Sequence, residues 1–340
     1  MTSVTRANGR GPGTRLEPAP RTPIVDGRPA FGTYRGTCEH TDLEARDRGV
    51  GLYTRLLREK RWQWFSVAGE AIAVGGAIVD AGPFGTVFCW AVDREREELV
   101  ADASRLVPTP LLAVSDRPAE GDVASVRLGR RPLAIDRREA AVGVRGSVGG
   151  LSLELELETR PSEAVTAICP VDGGHPGAVN VTQKELAGRV RGTVVVDGDR
   201  HTITDGVGLL DYTHGILGRE TRWRWGFCVG VDGGDPYGFN LVADHNDGLE
   251  NAIWVDGRPR GVGAATVDRP GEGRDDPWRV HTDDGVVDAT LSVEGERLEK
   301  AAVGPFASQY RQPAGRWTGR VGDREIDGRY GVAESHYAKW

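Results

Sequence analysis

Hydrophobic and polar residues alternate with a period of two over much of this chain. The clearest stretch sets Leu151, Leu153, Leu155 and Leu157 against Ser152, Glu154, Glu156 and Glu158. Successive side chains of a strand point to opposite faces, so this pattern predicts a strand with one dry and one wet face. Asp-Gly pairs at Asp197-Gly198, Asp232-Gly233, Asp247-Gly248, Asp256-Gly257, Asp284-Gly285 and Asp327-Gly328 suit tight hairpins, because both residues tolerate positive φ. Two segments depart from the pattern. Between Leu43 and Lys60, the near-helical spacing of Val50, Leu52, Leu56 and Leu57 predicts a short helix leading straight into the next strand. Residues 1–30 carry Pro12, Pro18, Pro20, Pro23 and Pro29 with no apolar period, and read as a disordered or loosely packed arm.

The tetrad Arg-Trp-x-Trp occurs twice, as Arg61-Trp62-Gln63-Trp64 and as Arg222-Trp223-Arg224-Trp225. Ala77-Ile78-Val79-Asp80 and Trp90-Ala91-Val92-Asp93 follow the first copy, and Leu241-Val242-Ala243-Asp244 and Trp254-Val255-Asp256 follow the second in the same order. An internal duplication of this length predicts two related β units with their tryptophan strands in corresponding places. The fold class expected is therefore mainly β: two tandem antiparallel barrels or sandwiches, which hide strand edges, with one or two short helices. A first unit over 31–175 and a second over 176–340 are expected, since Cys169-Pro170-Val171-Asp172-Gly173-Gly174-His175-Pro176-Gly177 breaks any strand.

Composition narrows the partners. The 340 residues carry a net charge of -7 from interspersed acids and bases, with no basic block to track phosphates, so nucleic acid is not an expected partner. Cys38, Cys89, Cys169 and Cys228 are far apart with no C-x-x-C, and read as reduced thiols. No apolar run approaches the roughly 20 residues that span a bilayer, and the N-terminus lacks a signal-peptide core, so a cytoplasmic location is expected. There is no H-x-H or H-E-x-x-H for a metal, no G-x-G-x-x-G before a helix or Walker sequence for a nucleotide, and no G-x-S-x-G for a serine nucleophile. Neither metal nor cofactor is predicted.

Candidate chemistry concentrates in the second half. Asp211, Tyr212, His214 and Glu220 are read as a polar loop ahead of a strand whose one face is Trp223, Trp225, Phe227 and Val229. Polar groups are thereby set beside an aromatic wall. A carboxyl in such a pocket has its pKa raised and becomes a general acid near neutral pH, while the rings stabilise cations. A second cluster follows, in which Asn240 and Asp244 are expected on one strand face, with His245, Glu250, Asn251 and Trp254 beyond. Together they resemble a cavity in which a few polar groups orient an apolar ligand. The same residues also fit turns and hairpins over a packed aromatic core. The ending Glu334-Ser335-His336-Tyr337-Ala338-Lys339-Trp340 is too aromatic to fray and is read first as docked packing, with Glu334 and His336 within reach of the site.

Asp211-Tyr212-x-x-Gly215, Arg219-Glu220-Thr221-Arg222-Trp223-x-Trp225, Asn240-Leu241, Glu250-Asn251-Ala252 and Glu334-x-His336-x-x-x-Trp340, preceded by Val181-Thr182-Gln183-Lys184, resemble the domain-of-unknown-function family numbered 2804. More distantly, the duplicated units and their Trp-x-Trp strands look like the lipocalin-like tandem barrels of carotenoid 1,2-hydratases and tocopherol cyclases. That resemblance implies proton donation to an isoprenoid double bond inside an aromatic cavity. Asp211 or Glu220 would then be the donor, Asp244 or His245 its partner, and Trp223, Trp225 and Trp254 the lining, in the second unit or at the seam. The expected function is a cofactor-independent hydratase, cyclase or isomerase acting on an apolar small molecule. A lipocalin-like carrier or sensor of a hydrophobic metabolite accounts for the same cavity without catalysis.

Overall fold

In a computed structural model of the chain, residues 13–43, 51–127, 132–171, 178–269, 271, 273, 276–304 and 306–340 are described. The alternating segments form strands where their faces differ most in polarity. Leu151–Thr159 buries Leu151, Leu153, Leu155 and Leu157 and exposes Glu154, Glu156 and Glu158. Asp197-Gly198 and Asp256-Gly257 turn tight hairpins with both residues at positive φ. Asp247-Gly248 instead lies in a short 3-10 turn, and Asp327-Gly328 falls inside the strand Arg324–Lys339. The helix is Leu52–Arg58 and runs directly into the strand Glu59–Ala68; the part of the expected helix at 44–50 lies outside the described residues.

The strands form two large sheets that curl toward closure, antiparallel except where Glu17–Pro18 runs parallel to Gly32–Arg35. The strand Glu59–Ala68, which carries the first Arg-Trp-x-Trp, pairs with Ile72–Asp80 on one side and with Asp199–Ile216 on the other. The strand Glu220–Asp232, which carries the second, pairs with Asp235–Ala243 and with Arg324–Lys339. The last strand of each sheet therefore returns to the strand that carries its tetrad. Val179–Val196 and Asp199–Ile216 both belong to the first sheet, so the chain changes sheets between Ile216 and Glu220, later than the expected division between residues 175 and 176. The proline and glycine cluster behind that expectation joins two neighbours of one sheet, Val165–Pro170 and Val179–Val196.

The N-terminal arm also differs from expectation from residue 13 onward; residues 1–12 lie outside the described part. Thr14–Arg15 pairs with the second sheet, Glu17–Pro18 adds to Gly32–Arg35 in the first, and Leu16 and Ile24 are buried. Prolines are tolerated on such edge strands because no ladder hydrogen bond is lost there. The main apolar core of each unit lies around Phe65 and Leu155 in the first and around Phe239 and Trp317 in the second, and a smaller cluster around Ile168 and Val181 also belongs to the first. A further core lies between the two units and holds the tetrads. Trp62 stacks on Trp223 with ring centroids 6.1 Å apart, and Trp64 meets Trp225 edge-on at 5.0 Å. The two copies of the repeat thus face each other across the seam.

Candidate active site

The return of each last strand onto its tetrad sets one carboxyl beside each copy. In the first unit Asp211 lies opposite Trp64, and in the second Glu334 lies opposite Trp225. The preceding tryptophan of each tetrad donates to that carboxyl: Trp62 Nε1 to Asp211 Oδ2 at 3.3 Å, and Trp223 Nε1 to Glu334 Oε1 at 2.6 Å. The neighbouring positions match as well. Thr182 and Thr213 pair in the first unit where Tyr310 and His336 pair in the second. Two residues on from Thr182 and Tyr310, Lys184 and Gln312 reach the respective carboxyls, each at 2.7 Å.

All of these residues except Gln312, which stands behind Glu334, line a cavity of about 250 Å³ at the seam, walled by Trp62, Trp64, Trp223 and Trp225 with Phe88 and Tyr310. Lys184, 4 % exposed, bridges Asp211 and Glu250 (3.3 Å) and lies 4.8 Å from the centre of the Trp225 ring. Burial works against its ammonium, but the two carboxylates outweigh it and hold the Lys184 pKa above the ordinary lysine range. Burial likewise disfavours the charged form of Glu250, yet Lys184 and a hydrogen bond from Asn246 bring it below the usual carboxylate range. Asp211 is pushed up by burial, with Lys184 pulling the other way and Glu250 adding to the rise. Glu334 has no such cation, and burial raises it to about 7 against the hydrogen bonds from Trp223 and Tyr310. His336, packed 4.4 Å from Trp223 and 5.1 Å from Tyr310, is pushed by burial down to about 3 and is neutral.

Of the residues singled out in the sequence, Asp211, Trp223, Trp225, His245, Glu250, Glu334 and His336 come together on this cavity. Asp211 is on a strand and not on a loop, because the segment through Ile216 continues the ladder with Glu59–Ala68. Tyr212 and His214 consequently face away, into the first unit. There Tyr212 bonds Thr41 (2.7 Å) and the Ser115 carbonyl (2.8 Å), and His214 lies between Thr41 and Glu59, 3.0 Å from each. Glu220 is half-exposed and paired with Lys339 at 3.4 Å. Asp244 does not share the face of Asn240: the strand ends at Ala243, and Asp244 turns out at φ 66° to pair with Arg224 at 2.8 Å. Asn240 lies behind the wall, accepting from Trp225 Nε1 (2.7 Å) and donating to the Glu250 carbonyl (2.9 Å). Asn251 accepts the Val242 amide at 2.8 Å and stabilises the adjoining turn. Trp254 belongs to the seam core, its indole donating to the Glu163 carbonyl at 2.7 Å.

Lys184, Gln312, Tyr310 and the first tetrad's tryptophans complete the site, and sequence reasoning gave none of them a role there. The signal that finds them is the register of each closing strand on its tetrad, a contact some 110 to 150 positions apart along the chain that no local window contains.

Solved structures share this architecture. Kievitone hydratase from Nectria haematococca superposes with a TM-score of 0.53 at 10 % identity, covering 89 % of this chain and 97 % of that one. CghA, in its structure with Sch210972, gives 0.52 at 12 % identity over 95 % and 98 % of the two chains. Both are lipocalin-like tandem-barrel proteins, and at these identities the likeness is one of fold. No match was found among curated protein sequences. The model of the domain of unknown function DUF2804 matches residues 22–340, nearly the whole chain with both tetrads and both carboxyls, and the chain belongs to that family.

Proposed function

We propose that the seam cavity is the active site of a lyase or isomerase of the hydratase or cyclase type, which acts by proton transfer on an apolar, isoprenoid-like or polyketide-like small molecule. The observation that carries this reading is the pair of buried carboxyls, Asp211 and Glu334, brought by the duplication to one tryptophan-walled space. A carboxyl whose pKa lies near the working pH is both populated as the acid and able to release its proton. Facing rings stabilise positive charge that develops on a protonated hydrocarbon, and an apolar wall withholds competing water. The names of the two structural relatives, a hydratase and a protein solved with a small molecule, accord with such a use of the fold.

Incubation of the protein with a lipid extract of the source organism, followed by mass spectrometry, tests the reading against its carrier alternative. A product made by the native chain and absent with Asp211→Asn and Glu334→Gln supports catalysis. The same molecule retained unchanged by all three supports a carrier.

A further inference from the structure

The duplication delivers two carboxyls to one cavity but surrounds them unequally. Asp211 Oδ1 is 2.7 Å from the ammonium of Lys184. At the matching place Glu334 Oε2 is 2.7 Å from the amide nitrogen of Gln312, a donor of similar reach with no charge. The direction of that amide is set, because Gln312 Oε1 accepts the indole N–H of Trp90 at 3.0 Å. The other groups around Glu334 do not supply the missing charge. His336 on its own strand is neutral, and Tyr310 on the adjacent strand is a phenol whose pKa burial raises further. Arg297, from Val287–Val303, lies over the Phe88 and Tyr310 rings and is committed to Asp102 and Glu299. Across the seam stand Asp211, which opposes ionisation of Glu334, and Lys184, already shared between Asp211 and Glu250. Among the described residues Glu334 makes no ion pair.

We infer that the two carboxyls are a split couple, Glu334 the proton donor and Asp211 the proton acceptor, and that Gln312 and Lys184 are the positioning residues that assign these roles. The inference rests on the proposed function and specifies its chemistry. Glu334 gives its carboxyl proton to one carbon of a substrate double bond; the π pair forms the new C–H bond and the adjacent carbon becomes cationic between the tryptophans. Asp211, whose carboxylate form the Lys184 ammonium favours against the burial that raises its pKa, then removes a proton either from a neighbouring carbon, whose C–H pair closes a new double bond, or from a water that adds to the cation. One proton leaves Glu334 and one arrives on Asp211, and exchange with solvent resets both.

The assignment is tested without any substrate, by infrared difference titration of the full-length protein between pH 5 and 9. The native chain is expected to show a protonated-carboxyl C=O band that disappears near pH 7, is missing in Glu334→Gln and persists in Asp211→Asn. Gln312→Lys, which leaves Glu334 in place, is expected to move the midpoint down by about 1 to 3 pH units, the effect of an opposite charge at this distance. A band that survives Glu334→Gln, a band lost in Asp211→Asn, or a midpoint unmoved in Gln312→Lys overturns the assignment. Because these titrations need no turnover, their failure is separate from a failure to find a product, which would count against the function itself.

Discussion

Replacing Glu334 by glutamine is expected to change how stability depends on pH more than it changes stability at any one pH. The Glu334 side chain is buried, accepts from Trp223 and Gln312, and has its pKa raised from 4.5 to about 7 in the folded chain. In the unfolded chain the carboxyl ionises near its ordinary value. Between these two values the folded state holds a proton that the unfolded state has released, so stability falls as the pH rises. The folded protein is undisturbed by this group below about pH 4.5 and bears the full cost above about pH 7. A shift of this size corresponds to about 3 kcal/mol in total at about 1.4 kcal/mol per pH unit, and to roughly 2 to 3 kcal/mol between pH 5 and pH 8. Glutamine cannot ionise and loses this dependence, whatever constant cost its amide protons impose beside the donors Trp223, Tyr310 and Gln312. Urea unfolding of both proteins at pH 5, 6, 7 and 8 measures the difference. The variant should gain on the native chain by roughly 2 to 3 kcal/mol from pH 5 to pH 8. Parallel curves, or a gap that narrows in the opposite sense, would refute the claim that the fold keeps Glu334 neutral.

Three further outcomes follow from the same geometry. Lys184→Met leaves Asp211 and Glu250 buried together without their cation, and should cost about 3 to 5 kcal/mol at pH 7; two uncompensated carboxyls have raised pKa values, so part of the loss should return at pH 5 in the same urea series. Trp225→Ala removes the edge contact with Trp64 and the ring beneath Lys184, and should cost about 3 to 5 kcal/mol by thermal or urea unfolding while weakening retention of any apolar molecule the native chain holds. His214→Ala breaks the buried contacts to Thr41 and Glu59 and should lose about 1 to 3 kcal/mol of stability, yet leave product formation per folded molecule unchanged, since that face of the strand points away from the cavity.

Much of the fold was legible because it depends on short-range pattern. The alternation at Leu151–Thr159 and the Asp197-Gly198 and Asp256-Gly257 turns are each decided within a few residues. The repeated tetrad was equally plain, and its consequence, two tryptophan strands in equivalent places, is what the seam displays. The site was legible only in part. Asp211, Trp223, Trp225, His245 and Glu250, with Glu334 and His336 near the C-terminus, line the cavity and stood out in the sequence because acids and aromatics crowd together there. That same crowding drew in Tyr212, His214 and Glu220, which the two-residue period of the strand or its exposed end sends elsewhere. Gln312 stood in no motif, and Lys184 stood in one, Val181-Thr182-Gln183-Lys184, without a role; the place of both comes from a register across strands and from comparing one unit with the other. The division between units was placed too early because a Pro-Gly cluster marks a turn equally well within a sheet and between sheets.

The central claim, that a carboxyl in the seam cavity protonates a carbon of an apolar substrate, is met most directly by running the reaction in D2O and weighing the product. The account predicts one deuterium fixed at carbon in product made by the native chain, with no such product from Glu334→Gln. A product formed without carbon-bound deuterium, or formed equally well by Glu334→Gln, would contradict it.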